Sequence, residues 1–142
     1  MPAIAESQRR TRSFARLIGP FLLLVPGIVI LRAPDLSMII RDFFQNSALV
    51  WMMGALLLFC GLVIIAYHQY WSGAAAIIIS LFGWFLALRG LALLTVPQMI
   101  EQGAYAAANA LPLVRTGFAL LAVAGLWLTY VGWFTKPPES AS

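Results

Sequence analysis

No aspartate or glutamate falls within any of the long apolar runs of this chain, and histidine and cysteine occur once each, at His68 and Cys60. Each absence excludes a chemistry. A proton-coupled exporter exchanges a cation for a proton on a membrane carboxylate, and no such acid is available. Haem ligation inside a helical bundle usually takes two histidines. A symmetric dimer would supply a second, but His68 sits in a predicted turn between spans. A single cysteine forms no intrachain disulfide and no redox pair. Metal-dependent hydrolysis needs clustered histidine and carboxylate ligands, which are not present. A serine nucleophile needs an activating base. Ser80 and His68 are separated by about 18 Å if they lie on one helix at 1.5 Å per residue, too far to meet within it. The expectation is a protein that is not an enzyme and carries no cofactor.

What is abundant is apolar surface. Of 142 residues, 62% are hydrophobic and 10% charged, against roughly 25% charged in soluble domains, and the mean hydropathy is +0.90. A helix needs about 20 apolar residues to cross a bilayer, so the length accommodates three or four crossings and no soluble domain. The net charge of +4 is concentrated at Arg9, Arg10, Arg12 and Arg16. In so apolar a chain this reads as a topology signal rather than a nucleic-acid patch.

The pattern predicts a basic cytoplasmic tail over residues 1–13 and a single transmembrane domain over 14–134, followed by a short cytoplasmic tail over 135–142. The spans fall at about 14–31, 48–67, 74–96 and 113–134. The first run is not followed by a small-x-small cleavage motif, so it is read as an uncleaved helix, bent at Gly19–Pro20 and Pro26–Gly27. Between spans one and two, Leu36, Ile39, Ile40, Phe43 and Phe44 recur at helical spacing with Arg41 and Asp42 opposite. That is an amphipathic helix lying in the interface, with Asp35 or Ser37 as its cap. Residues 97–112 are too polar to span and too apolar for a solvated loop; helical, re-entrant and loop forms all remain open, with partial helix at the surface expected. Pro97 ends span three and Pro112 suits the first turn of span four. The N-terminal arginines and Lys136 place both termini in the cytoplasm by the positive-inside rule. The fold class is therefore all-α, an integral membrane four-helix bundle with N-in, C-in topology.

Polar residues inside a membrane are the default functional candidates. Arg89 lies about 10 Å from the end of span three, close enough for its side chain to snorkel to the outer head-group layer. Arg115 and Glu101 fall at that same outer face. The three either anchor the bundle, with Arg89 pairing Glu101, or bind an anionic ligand such as a phospholipid head group. His68, in the sequence His-Gln-Tyr-Trp, is an interfacial residue beside the aromatic belt or a pH-sensitive interfacial switch. Gly83, Ala87 and Gly90 on span three, and Ala119, Ala122 and Gly125 on span four, form strips of small residues that let helix backbones approach closely. Such strips serve either intrachain packing or oligomerisation. Trp84 and Trp127 lie deep enough to be packing residues.

Pro34–Asp35–Leu36, His68 and Trp71, Gly83–Trp84, Arg89–Gly90 and Pro97 together resemble a family of small bacterial integral membrane proteins of four predicted helices and no assigned activity. The resemblance covers residues 15–100. It implies a bacterial inner-membrane location and a topology, and transfers no catalytic residue. The functional expectation is a non-enzymatic accessory, scaffold or assembly protein whose partners are the lipid bilayer and a second copy or another membrane protein. The alternative is a small transporter or anionic-lipid-binding protein that uses the outer-face arginines.

Overall fold

The computed structural model describes residues 2–135, with side chains from residue 6 onward. The described residues are helical nearly throughout: α1 Pro2–Leu31, a 3₁₀ turn Ala33–Asp35, α2 Leu36–Gln45, α3 Ser47–Tyr67, α4 Ala74–Thr95, α5 Pro97–Asn109 and α6 Leu111–Phe134. Four stretches are long and apolar enough to cross a membrane: Glu6–Leu31, Ser47–Tyr67, Ala74–Thr95 and Leu111–Phe134. The chain is an all-α four-helix bundle of multi-pass type.

Local chemistry sets most of the boundaries. The Asn46 side chain accepts a hydrogen bond from the Leu49 amide at 3.1 Å, capping α3. Between α3 and α4 the chain reverses through Gly73, whose φ of +93° would strain any residue with a Cβ. Val96 leaves the helical region at φ −138°, as the residue before a proline tends to. Pro97 then opens α5, and Pro112 falls in the first turn of α6, where the missing N–H costs no hydrogen bond. Residues 97–112 are therefore a surface helix, α5, followed by the start of α6. The basic stretch before residue 14 is helical and continuous with the first span, and Pro20 and Pro26 lie inside α1 without ending it. Asp35 precedes α2 but makes no side-chain capping bond.

The bundle is assembled from two antiparallel pairs, α1 with α6 and α3 with α4, and α1 also meets α4 over a shorter length. Glycines allow the close approaches. A Cβ on Gly90 would fall on the Leu58 amide and 2.7 Å from the Gly54 carbonyl oxygen, and one on Gly61 would lie 2.7 Å from the Ala87 Cα. Across the other pair, a Cβ on Gly19 would meet Thr129 Oγ1 at 2.7 Å and one on Gly132 would meet the Arg16 amide at 2.7 Å. Where lipid is as apolar as the side chains, such backbone proximity is the main source of helix association. The two pairs are joined near the N-terminal end by a core of Ala15, Ile18 and Leu22 from α1 with Ile64, Ile79 and Leu128 from the other three spans. At the opposite end α2 touches α3 and α5, while α5 touches α4 and α6, so the two short helices bridge the pairs.

Candidate functional site

The most enclosed polar cluster forms where α3 ends. His68 has no exposed surface, and Ser80, just under two turns into α4, is 2% exposed. The reversal through Gly73 lays α4 back along α3 and brings His68 Nδ1 to 3.3 Å from Ser80 Oγ. Ser80 Oγ also lies 3.2 Å from the His68 carbonyl oxygen and 3.0 Å from that of Tyr70. On the ring's other side, Thr11 Oγ1 of α1 is 3.0 Å from Nε2. Phe14 and Tyr70 pack edge-on against the imidazole, with ring centroids at 5.2 and 5.3 Å.

Two sequence expectations are corrected here. His68, expected in a turn outside the bundle, is buried in its core at the end where α3 stops. His68 and Ser80 do meet; the 18 Å separation applies to one continuous helix, and the helix breaks between them.

The proton inventory decides what this contact can do. A serine hydroxyl has one proton to donate, and two backbone carbonyls compete for it here. With that proton on a carbonyl, Ser80 accepts from His68 Nδ1–H. Nε2 is then the bare nitrogen and accepts from the Thr11 hydroxyl. Every polar atom is satisfied with a neutral imidazole. The ring therefore donates to Ser80 instead of drawing a proton from it, the reverse of what a serine nucleophile requires. Burial, with no acid paired to the ring among the described residues, holds the His68 pKa below its ordinary 6.5. The cluster clamps the α3–α4 turn to α1.

Arg89 lies in the other half of the bundle. It is half-buried and lines a cavity of about 260 Å³ with Phe43 and Phe44 of α2, Met53 and Leu57 of α3, and Ala104 of α5. Among the described residues the ion pairs are Arg10–Glu6 and Arg32–Asp35, so the expected Arg89–Glu101 pair is not formed within 4 Å. Arg115 is exposed, and neither it nor Glu101 lines the cavity.

Gly83, Ala87 and Gly90 are buried in the α3–α4 interface. On α6 Gly125 of the expected strip faces α1, a Cβ there falling on the backbone of Leu22 and Leu23. Ala119 is exposed and Ala122 half-buried, and the fully buried part of the α6 seam runs through Gly125, Leu128 and Gly132. Trp84 and Trp127, expected to pack, are 44% and 39% exposed.

Sequence reasoning missed Thr11, because a hydroxyl in a basic stretch carries no periodic signal of its own. No protein-family model, no curated protein and no solved structure matches the chain.

Proposed function

We propose that this chain is a non-enzymatic multi-pass protein of the bacterial inner membrane, with both termini cytoplasmic, acting as an accessory or assembly partner. The supporting observation is α6. Its extended packing is on α1, with α5 meeting it more briefly and Leu128 reaching the shared core, and most of its residues are exposed. Thr116 and Ala119 stand three residues apart and exposed outside that seam, a small-residue surface suited to close approach by another helix. The inward polar groups around His68 bond to one another, which leaves helix surface as what the molecule offers to others. The test is crosslinking and copurification from native membranes, comparing wild type with Ala119→Leu. The reading expects a specific oligomer or partner that the substitution removes while the protein stays folded. A monomer in mild detergent that copurifies with nothing would sink it.

A second reading, an anionic-lipid-binding protein or small transporter, is favoured by one observation. Arg89 lines an apolar cavity with no carboxylate within 4 Å among the described residues, and an unpaired guanidinium there is costly. If it holds, Arg89→Gln weakens retention of anionic lipid several-fold and Arg115→Gln does not.

A further inference from the structure

At the N-terminal end of the bundle, α1, the start of α4 and the last turns of α6 border a cleft of about 990 Å³. Three arginines of one α1 face line it, Arg9, Arg12 and Arg16. Arg12 and Arg16 are held in an unusual way. Each donates through Nε to the same acceptor, the Gly132 carbonyl, at 3.1 and 2.8 Å. That carbonyl belongs to the last turn of α6, where a helix presents unpaired oxygens and partial negative charge. Tethering through Nε fixes both forks and leaves their terminal Nη groups free to donate. Trp133 stacks against Arg16 at 5.7 Å and restrains it further.

Two guanidinium groups converging on one carbonyl repel each other, and Arg9 adds a third charge. No carboxylate relieves this among the described residues: Glu6 is bonded to Arg10 at 2.7 Å, and the remaining ion pair, Arg32–Asp35, is at the other end of the molecule. The cleft's far wall is the first turn of α4, Ala74 to Ala76. Its N-terminus has no side-chain cap, so amides and the positive helix end face the same space. Trp127 and Val131 supply an apolar side.

We propose that this cleft is a binding site for a phosphate-bearing anion, with the forks of Arg12 and Arg16 clasping the phosphate and Arg9 completing its neutralisation. Arginine forks match phosphate oxygens bidentately. All four spanning helices begin or end at this level, so phospholipid head groups lie alongside the cleft, and basic pockets between membrane helices are suited to them. The site is separate from Arg89; it rests on the reading that the four helices span a membrane, and not on an accessory role.

The test uses the full chain in mild detergent with short-chain phosphatidylglycerol and phosphatidylcholine as probes, read by native mass spectrometry and thermal melting. Wild type should retain phosphatidylglycerol preferentially and melt higher in its presence. The Arg9 side chain bonds to no other group among the described residues, so Arg9→Gln should leave the lipid-free melt unchanged or slightly raised, as one repelling charge is removed, while lowering phosphatidylglycerol retention about five-fold. Arg12→Gln should lower it at least as much. Millimolar inorganic phosphate distinguishes the two sources of the anion. Displacement of the lipid assigns the site to soluble phosphate, and failure to displace assigns it to a head group. Unchanged retention in both variants overturns the proposal. An equal loss in Arg41→Gln, at the opposite end of the molecule, overturns it too, since net charge would then explain the binding.

Discussion

His68 has no exposed surface and, among the described residues, no acid paired with it, so its ionisation is coupled to folding. Its native pKa is depressed, and the unfolded chain therefore binds the proton first as pH falls. The stabilisation is complete above pH 6.5 and is lost as pH drops toward the lowered native value, by at most about 1.4 kcal/mol per pH unit for one proton. His68 is the single histidine, and ordinary carboxylates titrate near pH 4, so the interval from 6.5 to 5 isolates it. Melting temperatures in detergent should fall across that interval in wild type and stay level in His68→Asn; parallel slopes in the two proteins would refute the assignment. Ser80→Ala removes the acceptor for Nδ1–H and the one hydroxyl donor that the His68 and Tyr70 carbonyls compete for. A loss of about 1–3 kcal/mol is expected from groups left buried and unpaired, measured by denaturation in mixed micelles, and a neutral result would show that water replaces the hydroxyl.

Individual helices are distinguished by which glycines touch a neighbour. Gly61→Ala drives a Cβ into the α4 backbone at Ala87, and overpacking of this kind costs about 1–3 kcal/mol. Gly117, in the interior of α6, is exposed, and a methyl group added there would meet nothing within 4 Å. Gly117→Ala should instead raise stability by about 0.5–1 kcal/mol, the ordinary helix preference for alanine over glycine. Opposite signs for the two substitutions in one unfolding assay are the expected result. Like signs would mean that α3 and α4 do not pack through Gly61, or that α6 uses Gly117 against a partner. These contacts are only half legible in the residue order. The small-residue pattern of α4 is visible as spacing, because every i, i+3 and i+4 position shares a face. On α6 several faces carry small residues, and spacing alone does not say which one meets α1.

The whole molecule is two helix pairs pinned together at both ends. One pin is the His68 clamp with the apolar core beside it, and the other is the α2–α5 bridge. Both ends also carry the topology. If the termini are cytoplasmic, Ser72→Cys in a Cys60→Ser background should react with membrane-impermeant thiol reagents only from the cytoplasmic side. Asn109→Cys should react only from the other. Reversed labelling would overturn the proposed orientation and move the arginine cleft to the outer surface.

Four apolar runs, the amphipathic α2 and the boundaries at Pro97 and Pro112 are all readable from residue order. Hydropathy, helical period and proline's missing N–H act over a few neighbouring residues and need no knowledge of the fold. Arg9, Arg12 and Arg16 also carry a local signal, since steps of three and four place them on one helical face. That signal is lost when the basic stretch is read as a tail, because only a helix gives the spacing meaning. The pairing of α1 with α6, the meeting of His68 with Ser80 and Thr11, and the sharing of one carbonyl by Arg12 and Arg16 are settled by folding. They join residues up to 120 positions apart through a chain reversal and a choice of helix neighbours. Neither of these is encoded in the period of any single segment.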